Sequence, residues 1–225
     1  MKNVIYFILG SLLVFTSCKK DASNPISPNE DALTVTYSGK VYHKVKIGNQ
    51  TWMKENLDVG VMIDSLQNPS NNGTIEKYCY RNDTANCSKY GGLYRWDEAM
   101  AYDTVNGAKG ICPTGWHIPT RAEFNKLAAE ADHDGNALKA VGQGKGSGMG
   151  TDLSGFSGLL GGGHFYHGDF CNLGFYAYIW SSTENDVPSD TKSAYSLGLW
   201  YEGGGIFLET TYWESGFSIR CIKDE

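Results

Sequence analysis

The sequence predicts a loop-rich α+β domain with short strands, and three observations carry that expectation. Glycine is abundant, at 28 of 225 residues; aromatic side chains make up 13% and charged ones only 20%. Such a composition suits short strands and tight turns better than a helical bundle. The C-terminal third breaks into "GFSGLLGGGHFYHG", "FYAYIWSST", "SAYSLGLW", "GIFLET" and "GFSIRCI", short segments parted by glycine turns, as in a meandering antiparallel sheet. Ahead of them, "PTRAEFNKLAAEA" holds a well-marked helix start.

In chain order, Lys2 precedes an almost unbroken apolar run from Val4 to Thr16. Thirteen helical residues reach roughly 20 Å, short of the ~30 Å hydrocarbon core, so residues 1–17 fit a signal peptide better than a spanning helix. "FTSC" resembles the lipobox of bacterial lipoproteins, which implies lipidation at Cys18 and attachment to a membrane there; an ordinary signal peptide with an incidental cysteine is the alternative. Several acyl chains anchor stably where one holds only marginally. "CKKD" is similar to the start of many Bacteroidetes-type lipoproteins, and Lys19 after the cysteine resembles outer-membrane sorting. Residues 18–33, rich in Pro, Ser and Asn, predict a flexible tether. Residues 34–225 then form one domain, with no compositional break inside them.

Without Lys2 the chain carries 18 basic against 25 acidic residues, a net of −7. No basic stripe replaces counterions, which argues against nucleic acid as a partner. Five cysteines follow Cys18, in a compartment where disulfides persist. Cys79 and Cys87 flank the turn-rich "YRNDTAN" and predict a local bridge. Cys112 and Cys221 come next as a pair, because both sit beside strong structural motifs, and Cys171 is left over. No CxxC or zinc spacing occurs.

"TVTYSGKVYHKVKIGNQTWMKENL" alternates apolar and polar residues around "GNQ" and predicts a hairpin with His43 on its solvent side. Residues 58–73 are loop-like. Leu93, Trp96, Ala99 and Met100 fall at helical spacing, which predicts a short helix over Tyr94–Tyr102. Thr120 and Glu123 form a capping box, Pro119 and Phe124 a hydrophobic staple, and Phe124, Leu127 and Ala128 the buried stripe of a helix over Thr120–Ala131. His117, between Trp116 and Ile118, is expected at the core edge. "DHDGNALKAVG" lacks the glycine and glutamate of a calcium loop and predicts a turn into a short helix containing Leu138 and Val141. "GQGKGSGMG" lacks the order of a P-loop. His164, His167 and Asp169, an imaginable metal triad, are expected as polar loop lining.

Six motifs in order, "KIGNQTWMKENL", "YCYRNDTANCSKYGGLYRWDEA", "GICPTGWHIPTRAEFNKL", "SGFSGLLGGG", "YIWSSTE" and "GFSIRCIKD", resemble the Fibrobacter succinogenes major paralogous domain of secreted and lipid-anchored bacterial proteins. That resemblance implies a surface or periplasmic module. "HIPTRAEF" followed by "GFSIRC" is similar to formylglycine-generating-enzyme-like domains, which implies a C-type-lectin-like fold: two main helices on a twisted antiparallel sheet, long Gly-rich loops, and the first hairpin paired with the last strand.

The function expected is a noncatalytic module of the outer membrane that recognises glycan or another surface polymer. Aromatic rings suit sugar faces, and Trp200, Tyr201, Tyr212 and Trp213 are the candidates. Glu184, Asn185 and Asp186 offer oxygen ligands for a lectin-like calcium, although the Glu-Pro-Asn type triplet of sugar-binding lectins is missing. The alternatives are a structural component of a surface protein assembly and, less favoured, an oxidoreductase in which Cys171 and Cys221 would have to meet to hold copper.

Overall fold

The computed structural model describes residues 33–187 and 191–225. The signal segment, Cys18 and nearly all of the expected tether fall outside the described residues. Strands β2 (Lys40–Ile47) and β3 (Gln50–Met53) form the predicted N-terminal hairpin, and β1 (Thr34–Tyr37) extends it to a three-stranded meander. The turn from β1 to β2 uses Ser38 and Gly39, both at positive φ, the geometry that matches strand twist. Between β2 and β3, Gly48 has φ +56°, and a Cβ there would run into the Glu130 side chain. His43 is exposed on β2 beside Glu55.

Two short parallel strands follow, β4 (Val61–Met62) and β5 (Glu76–Lys77), then a 3-10 turn over Tyr80–Asn82 and helix α1 (Thr84–Tyr90). The segment expected as a bridged polar turn is thus helical: Asp83 caps α1 by accepting from the Ala85 N–H at 2.9 Å, and the Cys79–Cys87 disulfide fastens the turn to it. The helix expected over Tyr94–Tyr102 shrinks to α2 (Trp96–Ala99), preceded by strand β6 (Tyr94–Arg95). Tyr94 is held extended because its buried hydroxyl donates to the Val59 carbonyl and accepts from the Val59 N–H, each at 2.8 Å. At the other end, Ala101 and Tyr102 turn to positive φ and stop the helix.

Strand β7 (Trp116–His117) leads into helix α3 (Arg121–Glu130). Its start is the expected capping box: Thr120 Oγ1 accepts from the Glu123 N–H at 3.2 Å, and Glu123 Oε2 accepts from the Thr120 N–H at 2.7 Å. Phe124, Leu127 and Ala128 are buried. Helix α4 (Gly135–Leu138) is capped by Asp134. Val141 lies outside it and is 76% exposed, because the chain turns extended at Lys139. After a 3-10 turn at Gly146–Gly148 come β8 (Gly161–His164), β9 (Phe170–Leu173), β10 (Tyr176–Glu184), β11 (Ser193–Trp200), β12 (Ile206–Tyr212), β13 (Gly216–Phe217) and β14 (Ile222–Lys223).

Two larger sheets organise these strands, and β4 and β5 pair apart from them. One runs β1-β2-β3-β14-β7, so the last strand sits inside it, with Ile222 opposite Trp52 on one side and His117 on the other. The other runs β12-β11-β10-β8-β13-β6, with β9 beside β8. The molecule is α+β, mostly curled antiparallel sheet with short helices. Trp52 joins α3 to the first sheet, stacking on Phe124 at 5.7 Å and meeting Phe156 edge-on at 5.6 Å. A second core gathers Trp96, Trp180, Trp213 and Phe217 around the Cys112–Cys221 disulfide. Both bonded pairs are the ones anticipated from sequence, and Cys171 remains a thiol on β9.

One sequence expectation is corrected in a third, smaller cluster around Tyr78, Tyr80 and Leu93. His164 does not line a loop; it lies in β8, is buried, and stacks on Tyr78 at 4.2 Å beside Phe170. Burial draws its pKa below the ordinary imidazole value. His167 pairs instead with Asp169 at 3.1 Å in an exposed turn.

Candidate functional site

The β11 and β12 strands pair in regular register, and β10 pairs regularly with β11 from Tyr176 to Trp180 before the register shifts, with Tyr178 opposite Gly198, and Gly198 opposite Phe207. Side chains alternate across a strand, so each strand divides its residues between two faces. One face carries Ala177 and Ile179, Leu197 and Leu199, and Leu208 into the core. The opposite face carries Tyr176 and Tyr178 from β10, Ser196 and Gly198 from β11, and Phe207, Glu209 and Thr211 from β12. Those seven residues line a hollow of about 240 Å³.

Its shape follows from residue size. The middle strand contributes a hydroxymethyl group and a hydrogen where its neighbours contribute rings, so β11 becomes a floor between two walls. With strands ~4.8 Å apart, the walls stand roughly 10 Å from each other. Tyr176 and Tyr178 lie on the same side of β10 with ring centroids 5.5 Å apart and planes 9° from parallel. Tyr178 is fixed from behind by Phe217, stacked at 4.7 Å, and its hydroxyl accepts from Asn172 Nδ2 at 2.9 Å. Burial pushes that phenol up to about 12, so it stays protonated at neutral pH. Phe207, 38% exposed, forms the facing wall. Glu209 is exposed on the same face and provides the one carboxylate of the hollow.

A second hollow, of about 490 Å³, lies where the hairpin ends, between the β8–β9 turn and the segment joining β10 to β11. Tyr166, 58% exposed, meets Tyr212, 40% exposed, edge-on at 4.9 Å there. Thr211 lines both hollows, and Phe165 of the second packs edge-on at 5.6 Å against Tyr178 of the first.

The four aromatic residues nominated from sequence do not form one platform. Trp200 and Tyr201 sit at the hairpin tip, their rings 6.0 Å apart, and Tyr201 is half-buried against Phe175. Tyr212 stands opposite Ser193 at the other end of the ladder, about 23 Å from the tip at ~3.3 Å per residue. Trp213 is buried, stacked on Trp96 at 4.1 Å with the Lys192 ammonium 4.5 Å over its ring. Those two contacts cover the ring, and its N–H and carbonyl hold it in place through bonds to the Lys192 carbonyl and the Trp96 N–H. The tip itself is fastened by Lys139, a fully buried ammonium that donates to the carbonyls of Gly148, Trp200 and Gly203.

Glu184 ends β10 opposite Ala194, Asn185 Nδ2 donates to Ser193 Oγ at 3.1 Å, and Asp186 is exposed. Among the described residues no group of three or more His, Cys, Asp or Glu could hold a metal ion. Sequence reasoning missed Tyr176, Tyr178, Ser196, Gly198, Phe207 and Glu209. The signal was present: "YAYIW", "YSLGLW" and "FLET" each alternate, and aligning them as neighbouring strands puts the small residues of one between the aromatics of the others.

No curated protein and no solved structure matches the chain. Residues 45–223 match the sequence model of the Fibrobacter succinogenes major domain (Fib_succ_major), and the chain belongs to that family.

Proposed function

We propose that the protein is a noncatalytic, lipid-anchored module of the cell envelope that binds glycan in the trough on β10, β11 and β12. The observation that carries this reading is the pairing of flat aromatic walls with a floor of small residues and a single carboxylate. A pyranose ring has apolar C–H faces and a hydroxyl rim; tyrosine and phenylalanine rings match the first, while Glu209, Ser196 and Thr211 match the second. The lipid anchor rests on the lipobox-like stretch at Cys18, and the aromatic candidates retained from the sequence are Trp200, Tyr201 and Tyr212. We also take the architecture as C-type-lectin-like. Support comes from the last strand seated between β3 and β7, the capped helix α3, and a second sheet bearing long glycine-rich loops.

Assembly with another protein is the second reading, favoured by one observation. Strand β12 is an edge of its sheet, and an open ladder edge can accept an extended peptide. The oxidoreductase alternative called for thiols at Cys171 and Cys221, but Cys221 is bonded to Cys112.

Affinity electrophoresis of the detergent-solubilised full chain through a panel of polysaccharides tests the glycan reading. Retardation by at least one polysaccharide is expected, weakened about tenfold by Tyr176→Ala and again by Glu209→Gln. Retardation unchanged in both variants would sink it.

A further inference from the structure

We infer that the site takes an inner segment of one extended, uncharged polysaccharide chain, laid along β12 through both hollows, rather than a chain end or a small free sugar. This rests on the glycan reading above and specifies its ligand. The first observation is continuity. Thr211 lines both hollows, and the Phe165–Tyr178 contact joins the wall of one to the wall of the other, so the two adjoin. From Phe207 through Glu209 to Thr211 the first hollow runs about 14 Å along β12, and the second hollow, with Tyr166 and Tyr212, adjoins it at Thr211.

Width is the second observation. The floor is one strand across, and walls roughly 10 Å apart admit a single chain. Aromatic rings stand at intervals along the path, Tyr176 and Tyr178 at one end and the Tyr166–Tyr212 pair at the other. Repeating contacts of that kind suit a repeating ligand, since each ring that stacks adds to the same bound chain.

Charge is the third. Among the described residues lining the two hollows, Glu209 is the one charged side chain. Among the described residues no cation lines the two hollows, so a polyanion would meet the Glu209 carboxylate without compensation there. A neutral chain meets hydroxyl, amide and carboxylate partners from Ser196, Thr211, Asn185 and Glu209, which are hydrogen-bonding groups it can satisfy.

Isothermal titration calorimetry of the full chain in detergent distinguishes the possibilities. The probes are short and long oligosaccharides from a neutral β-glucan and a neutral α-glucan, with oligogalacturonates as the acidic comparison. The long neutral oligomers of at least one glucan are expected to bind about tenfold more tightly than the short ones. Tyr166→Ala and Tyr212→Ala remove most of that gain, whereas Tyr176→Ala weakens both lengths. Equal affinity for short and long oligomers, a length gain that survives both tyrosine substitutions, or preference for the oligogalacturonates overturns the inference while leaving a glycan site standing. Failure of the unmodified protein to bind any oligomer or polysaccharide overturns the glycan reading and this inference together.

Discussion

His117 shows how one side chain can serve the fold while carrying the marks of chemistry. Its Nδ1 lies 2.7 Å from Asp224 Oδ1 and its Nε2 3.0 Å from Glu123 Oε1, an arrangement that in a cleft would suggest an acid–base device. Instead, Glu123 is the reciprocal partner of the Thr120 cap, and Asp224 lies in the C-terminal residues just after β14. Burial alone would lower the His117 pKa, but the hydrogen bonds and charges of the two carboxylates outweigh it and raise it above the ordinary value. For Glu123, burial pulls upward, and the imidazole and Thr120 hydrogen bonds prevail to lower it. A raised histidine stabilises fully below its unfolded pKa of about 6.5, and that contribution is lost as pH rises through the folded value. A depressed glutamate stabilises above about 4.5, and its contribution is lost as pH falls through the folded value. The two overlap between about pH 4.5 and 6.5. His117→Gln should therefore lower the melting temperature by a few °C near pH ~5.5 and by much less near pH ~9. Thermal melts across pH check this, and an equal loss at both ends would assign His117 a packing role alone.

At the scale of the element, the β11–β12 hairpin is both the floor and one wall of the trough, and its tip depends on Lys139. That ammonium has no carboxylate hydrogen-bonded to it; three backbone carbonyls take its protons. Burial lowers its pKa, partly opposed by Asp134. Lys139→Met keeps the length of the side chain but leaves the carbonyls of Gly148, Trp200 and Gly203 unpaired. A loss of at least ~3 kcal/mol in urea unfolding is expected, together with weaker glycan retention through disorder at the Trp200 end. A loss under ~1 kcal/mol would show that water replaces the ammonium. The sequence announced α3 because its start is local chemistry: Thr120, Glu123 and Phe124 lie within one turn and act on each other. It announced the hairpin too, through "YEGGG". It could not announce Lys139, whose partners lie 9 to 64 positions away. The same distance made the second helix look longer than it is. Trp96 and Met100 sit at helical spacing, but Tyr94 is drawn straight by Val59, 35 residues earlier. Trp213 was misplaced for a related reason, since an aromatic at a strand end looks alike whether it faces water or Trp96.

For the whole molecule, the C-terminal segment is the seam. Gly216 and Phe217 pair in the second sheet, Ser218 exchanges hydrogen bonds with Tyr178 and Trp180, and Ile222 pairs in the first sheet only four residues later. Between them Arg220 is fully buried, donating to Asn56 Oδ1 at 3.0 and 2.8 Å and to the Phe156 carbonyl, and burial draws its pKa down to about 9. Cys221 then bonds to Cys112, 109 positions away. The two sheets therefore share one segment, and loosening it exposes both cores at once. A cross-link restricts the unfolded chain more as its loop lengthens: about 5 kcal/mol for the Cys112–Cys221 loop against about 2.5 for Cys79–Cys87, whose separation is 8. Replacing both cysteines of the long bridge by alanine should thus cost about twice as much in denaturant unfolding as the same change in the short one. The long-bridge variant should still unfold in a single transition, with tryptophan fluorescence and backbone circular dichroism falling together. Equal losses for the two bridges would mean that native contacts around Cys221, not chain restriction, set its value. Two separated transitions would mean that each sheet keeps its own fold independently of the seam.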